Sequence, residues 1–302
     1  MKILVSGSSG LIGSALLSDF SKAGHTVARL ARPGKMPAAG DVSWDPAQER
    51  IDLAALEGFD AVVHLAGENI AAARWTLAQK QRIRESRVKS TRLLAESLAA
   101  LTRPPRVLVA ASAIGFYGDR GDEVLTEDSA AGSGFPPELC LAWEAASEAA
   151  ARKGVRVATL RFGMVLAANG GALEMMLPAF RLGLGGPLGS GRQWVSWITR
   201  EDALGIIQYA MTDERLRGPV NVVVPEPVTN RDFSRALGRV LHRPALLPVP
   251  ALVLRLMLGE IADGLLLASN RVYPMKLDAW GYRFIHPELD SALQYLLRPS
   301  PK

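Results

Sequence analysis

Three glycines near the amino end, Gly7, Gly10 and Gly13, stand at a spacing that can do chemistry. They lie in Ser6-Gly-Ser-Ser-Gly-Leu-Ile-Gly13, behind the apolar run Ile3-Leu4-Val5 and ahead of Ala15, Leu16, Leu17 and Phe20 at helical spacing. A short, continuously apolar run marks a strand buried on both faces of a parallel sheet. Strand, glycine turn and helix together are the setting that a dinucleotide fingerprint requires. Gly7 permits the tight turn, Gly10 lets the backbone approach a pyrophosphate, and Gly13 lets the helix pack close to the strand. Ser9, Leu11 and Ile12 complete this turn, and the helix N-terminus offers free N–H groups and a positive dipole to an anion. An ordinary glycine turn in some other α/β protein is the alternative.

The next strand, Thr26 to Ala31, ends in Leu30-Ala-Arg-Pro-Gly34. NAD-binding folds carry an acidic residue near this point to bond the adenine ribose. Here no acid is present and Arg32 is in reach. A carboxylate repels the 2′-phosphate of NADP, whereas a guanidinium grips it with charge-assisted hydrogen bonds. Arg32 therefore points to NADP(H), the alternative being a solvated loop arginine. Asp60 to Gly67 is an apolar strand ending in a small-residue turn, where Leu65, Ala66 and Gly67 can line the cofactor. The buried strand Arg106 to Ala111 ends in Ser112-Ala-Ile-Gly-Phe-Tyr-Gly118, which brings the Ser112 hydroxyl and the Tyr117 phenol to a strand end.

Regular elements must hold these residues in place. Leu77, Ile83, Val88, Leu93, Leu94 and Leu98 keep a 3.6-residue period and predict a helix over 76–101, with Lys80, Arg82, Arg84, Arg87 and Lys89 on a basic face. Pro136-Pro137 opens a helix through Leu139, Trp143, Ala146 and Ala150, and Val155 to Phe162 is a further strand. Strand and helix alternate to about residue 165, which predicts an α/β fold with a doubly wound parallel sheet of the Rossmann type. The expected division is a nucleotide-binding domain over 1–165, with strand returns from about 166 to 225, and a smaller C-terminal α/β domain on the substrate side over 226–302. The segment Leu182 to Gly191 holds five glycines in ten residues, either as a substrate-side loop or as a bend forced by packing. Val220 to Val224 reads as a strand, and 230–242 as an amphipathic helix capped by Thr229 or Asn230.

A chain of 302 residues, 48% hydrophobic, can bury a large core. The net charge of +5 is spread along the sequence with no basic run, which argues against nucleic acid as a partner. A single cysteine, Cys140, excludes an intramolecular disulfide and leaves no cysteine-based zinc site, so no metal is expected. Leu246 to Ala268, the most apolar late stretch, carries Arg255, Glu260 and Asp263, too much charge for a spanning helix. With the N-terminus running straight into a strand, the expectation is a soluble cytoplasmic protein, monomer or dimer, acting on a small molecule.

Motifs distributed over nearly the whole chain carry a resemblance. They are Ser6 to Gly13, Trp44-Asp-Pro46, His64-Leu-Ala-Gly-Glu-Asn-Ile70, Arg74-Trp-Thr76, Ser86-Arg87, Gly183-Leu-Gly-Gly-Pro187 and Ser196-Trp-Ile198, then Gly218-Pro-Val-Asn221, Val228-Thr-Asn230 and Leu247-Pro-Val-Pro250. On these the chain resembles the extended short-chain dehydrogenases/reductases of the epimerase and dehydratase group. Within that group it is similar to the atypical "epimerase family protein" branch, whose members carry a C-terminal domain of unknown function. The resemblance implies NADP(H) as cofactor, with Arg32, Leu65, Ala66, Arg87 and Val165 helping to bind it. Thr199 departs from the pattern, since relatives usually show histidine there.

The superfamily normally uses a Tyr-x-x-x-Lys pair on one helix face with a nearby serine or threonine. Alignment on Glu148 places Cys140 at the tyrosine position and Glu144 at the lysine position, so the usual dyad is absent. Ser112 stands near the place of the catalytic serine, although a shift of one residue puts Ala113 there. Tyr117 falls in the Tyr-Gly pair that ends this motif, and either packs or takes part in catalysis. Two functions follow from this pattern: an NADP-dependent oxidoreductase or nucleotide-sugar epimerase-like enzyme without the dyad, or a non-catalytic NADPH-binding regulator like the relatives described as cell-division inhibitors.

Overall fold

Ile3, Leu4 and Val5 are fully buried in the first strand, β1 (Lys2–Ser6), as their unbroken apolar character requires. The computed structural model describes residues 1–32 and 40–298, so Pro33 and Gly34 lie outside the described residues. The helix α1 (Leu11–Lys22) buries Leu16 and Phe20, and the chain returns through Gly24 to β2 (Thr26–Ala31), parallel to β1 with Lys2 opposite Thr26. β3 (Val42–Asp45) extends the sheet in parallel, and β4 (Arg50–Ile51) turns back antiparallel against it. The sequence alone predicts neither strand. Both are short, and only the alternation Val42-in, Ser43-out, Trp44-in marks the first.

The chain then crosses to the other side of β1. β5 (Ala61–His64) pairs with it in parallel, and β6 (Val107–Ala113) pairs with β5. After the two-residue β7 (Val124–Leu125), the sheet continues with β8 (Arg156–Phe162) and ends with a later strand, Gly218–Val222. With β9 (Met164–Leu166), β10 (Trp194–Val195) and β11 (Trp197–Thr199) intervening, that last strand is β12, and the order is β12-β8-β6-β5-β1-β2-β3-β4. This is the doubly wound α/β architecture, and strand order reverses between β1 and β5, the place where such sheets bind ligands.

The helix α2 (Leu77–Ala100) starts where Thr76 accepts a hydrogen bond from the Gln79 amide, and buries Ile83, Leu94 and Leu98. The helix expected to run from Pro136 through Ala150 is instead two, α3 (Phe135–Ala145) and α4 (Glu148–Arg152). Ser147 causes the break: its hydroxyl and its amide both bond the Glu144 carbonyl, which tightens the last turn and ends the helix.

Two compact units make up the chain. The first comprises Met1–Ser112, Leu139–Leu160 and Leu204–Val220. In it the guanidinium of buried Arg156 donates to the carbonyls of Ala210, Met211 and Leu216, a cation closing the C-terminal end of the helix Arg200–Thr212, which is α6 because α5 (Gly171–Arg181) precedes it in the chain. The second comprises Ala113–Glu138, Arg161–Ala203 and the chain from Asn221 onward. Here β9 pairs with β11, and α7 (Asn230–Leu241) is capped by Thr229, which follows Val228 in the short strand β13 (Val228–Thr229). In the glycine-rich stretch the backbone at Gly186 packs so closely that a Cβ there would stand 2.0 Å from the Leu247 carbonyl oxygen. Thr199 is buried and donates to the Asp202 carboxylate, which also takes the amides of Ile285 and His286. No helix among the described residues is long and apolar enough to cross a membrane.

His64, the last residue of β5, is fully buried, and burial pushes its pKa down to about 4. The unfolded chain binds a proton near pH 6.5, so between pH 6.5 and 4 it holds more protons than the folded one and stability falls as the pH falls. This group is expected to withdraw about 3 kcal/mol across that window and nothing above it. Denaturant unfolding of the wild type and His64→Gln at pH 7, 5.5 and 4 checks this, and equal slopes in the two proteins would refute it.

Candidate functional site

The turn after β1 leaves no room for a side chain at two of its three glycines. Gly7 has φ +68°, and a Cβ there would stand 2.6 Å from the Leu65 carbonyl oxygen; at Gly13 it would stand 2.3 Å from the carbonyl oxygen of Gly7. The Gly10 amide bonds the Gly7 carbonyl at 3.0 Å, and α1 then begins with no side chain capping it. The first-turn amides of Leu11, Ile12 and Gly13 have no partner within a helix, so they are available to an anion beside Ser9 and Gly10. At the end of the neighbouring β2, Arg32 is exposed.

Ser6 couples this turn to the next strand. Its Oγ lies 2.7 Å from His64 Nδ1 and accepts from the amides of Leu65 at 3.1 Å and Ala66 at 3.3 Å. With both amides donating, the serine proton goes to Nδ1, and His64 is the neutral Nε2–H tautomer. That Nε2 lies 3.0 Å from Thr91 Oγ1 on α2, which also accepts from the Trp143 indole on α3 at 3.0 Å. One buried network therefore joins the glycine turn, the Leu65-Ala66-Gly67 turn, α2 and α3.

Arg87 on α2 is buried against Gly67, with its Cζ 3.3 Å from the place of a Cβ there and 5.0 Å from the Trp143 ring centroid. It donates to the Ile83 carbonyl at 3.3 Å, and among the described residues no carboxylate forms an ion pair with it. Burial pushes its pKa down, and the Glu68 carboxylate opposes this. A buried cation of this kind suits an anion arriving at the end of β5. Glu68 is engaged locally: its amide bonds Ser86, and its carboxylate accepts from Gln79 at 2.8 Å.

Ser112 is buried at the end of β6, and its Oγ donates to Glu144 Oε1 at 2.7 Å. Cys140, one helical turn before Glu144 on α3, is also buried. Gly7 to Gly13, Leu65 to Gly67, Arg87 and Ser112 thus all belong to the first unit, at the carboxyl ends of adjacent parallel strands. Tyr117 and Val165 belong to the second. Tyr117 is fully buried and donates to Asn221 Oδ1 at 2.7 Å while Arg161 donates to its oxygen at 3.0 Å. Burial raises its pKa, and a phenol so engaged holds the Asn221–Arg161 cluster in place. Val165 lies on β9 opposite Ile198. The Ser6–His64–Thr91–Trp143 network and the Ser112–Glu144 bond are not foreseeable from the sequence, their only trace being polar residues at the ends of apolar runs.

These residues fit a dinucleotide: a turn that side chains would fill, an uncapped helix start and a buried arginine facing the adjacent turn. Comparison with known proteins agrees with that fit. Residues 3–224 match the model of the NAD dependent epimerase/dehydratase family, and 249–296 match a domain of unknown function, DUF1731. The chain is 43% identical over 294 residues to epimerase family protein Mb2239 of Mycobacterium bovis, covering 97% of this chain and 96% of that one. Among solved structures it is similar to human epimerase family protein SDR39U1 (isoform 2) with NADPH, at a TM-score of 0.88 and 34% identity, covering 98% of this chain and 99% of that one. It is also similar to the nucleoside-diphosphate sugar epimerase from Corynebacterium glutamicum, at a TM-score of 0.81 and 36% identity, covering 98% of this chain and 58% of that one.

The two close glycines are expected to differ in tolerance. Gly13→Ala forces a Cβ into the Gly7 carbonyl and should cost about 1–3 kcal/mol. At Gly10 the nearest atom would be 3.3 Å away, so Gly10→Ala should stay within about 1 kcal/mol. Chemical denaturation of both variants reads the difference, and equal losses would contradict the geometry.

Proposed function

Because the chain belongs to the NAD dependent epimerase/dehydratase family, we propose that it binds NADP(H) at the carboxyl ends of β1, β2 and β5 as an atypical short-chain dehydrogenase/reductase. It acts as an oxidoreductase or epimerase-like enzyme on a small polar molecule, without a tyrosine–lysine dyad. The observation that carries this reading is the glycine turn: Gly7 and Gly13 leave no room for a Cβ, and α1 starts uncapped behind them. The human relative solved with NADPH supports the choice of cofactor. Its nicotinamide, when bound, accepts or supplies a hydride.

The protein's own residues do the rest. Amides of the first turn of α1 bind the pyrophosphate, and Arg32 bonds the 2′-phosphate. Leu65, Ala66 and Gly67 form an apolar wall, and Arg87 behind Gly67 adds positive charge. Ser112 Oγ, with its own proton turned to Glu144, presents its lone pairs to a substrate hydroxyl. Tyr117 holds the Asn221–Arg161 cluster rather than the reacting atoms.

The presence of Cys140 and Glu144 where the dyad would stand favours a second reading, an NADPH-binding regulator that does little chemistry. The two readings separate on cofactor turnover: NADPH oxidation with any of a panel of carbonyl compounds and nucleotide sugars supports the enzyme, and silence across the panel supports the regulator. For the cofactor itself, Arg32→Ala is expected to weaken NADPH by about ten- to hundred-fold and NADH little. Titration of both nucleotides by calorimetry checks this, and equal loss for both would remove the 2′-phosphate assignment.

A further inference from the structure

The order of the sheet says where the two halves of a dinucleotide must go. The glycine turn closes β1, and Arg32 follows β2 on one side of it. With the phosphates of the adenosine half on that side, the other half extends from the reversal point over β5 and β6. The buried polar residue closing that direction is Ser112, at the end of β6, and its Oγ is bonded at 2.7 Å to the Glu144 carboxylate. Arg87 is one strand nearer the glycine turn, against Gly67. The group that Ser112 holds at the β6 end is therefore a carboxylate, and the Arg87 guanidinium lies 5.0 Å from the ring of Trp143, on the same helix as Glu144.

A nicotinamide ring changes charge with its redox state, being cationic when oxidised and neutral when reduced. We infer that Glu144, held by Ser112, is a specificity-determining residue that makes the site bind NADP⁺ in preference to NADPH relative to the same site without that charge. This rests on the cofactor reading above. By linkage, a site that favours the oxidised nucleotide makes the reduced one it holds a stronger hydride donor. Glu144 thus biases the protein toward reducing its substrate.

Calorimetric titration of wild type, Glu144→Gln and Glu144→Asp with NADP⁺ and with NADPH tests this without any substrate. Glutamine keeps the shape of the side chain and an oxygen for the Ser112 hydrogen bond, so the fold is preserved and only the charge is removed. The expected result is that Glu144→Gln weakens NADP⁺ by about five- to fifty-fold with NADPH nearly unchanged, while Glu144→Asp keeps most of the wild-type ratio. An unchanged NADP⁺/NADPH ratio in Glu144→Gln overturns the inference and leaves the cofactor reading intact. A wild type that binds neither nucleotide overturns both.

Discussion

Backbone lies directly on backbone at the end of β1, and the rest of the first unit depends on that contact. With a Cβ at Gly7, the Leu65 carbonyl would have to retreat; with one at Gly13, α1 would lift from the turn. Either change would separate the two turns that must converge on one ligand. Removing atoms, rather than adding attractive groups, brings an uncapped helix start beside the turn that follows β5. The conformational cost of glycine is accepted here because no other residue allows so close an approach.

Polar side chains then hold what the glycines bring together. Ser6 fastens the Leu65 and Ala66 amides, His64 carries the connection through the core, and Thr91 receives both the imidazole and the Trp143 indole. Such a network stabilises only when every member is satisfied, because a buried polar group without a partner is costly. Both imidazole nitrogens of His64 are used, which is consistent with its neutral form. Trp143 brings α3 into the same assembly, so the helix that carries Cys140 and Glu144 is tied to the turn at the other end of the site.

Whatever depends on neighbours in the chain is legible in the sequence. The runs of β1, β2 and β5, the period of α2 and the Thr229 cap are local patterns, and each of these forms. The break between α3 and α4 is hidden because Ser147 is compatible with a helix until its hydroxyl takes the Glu144 carbonyl. β3 and β4 are too short to signal themselves. Within the site, the glycine turn is legible because its residue types are forced by sterics. The partners of Ser112 and Arg87 are not, because Ser112 meets Glu144 across 32 positions and Arg87 meets Gly67 across a crossover. Spacing in the chain carries no record of such meetings.

The first unit is assembled from three separate stretches of chain, the last of which is Leu204–Val220. During synthesis, the Met1–Ser112 stretch of that unit is made first, and the segment whose carbonyls receive Arg156 is made only when about seven tenths of the polypeptide is complete. Neither unit is one continuous stretch of polypeptide, so neither can be cut out of the chain as a single fragment.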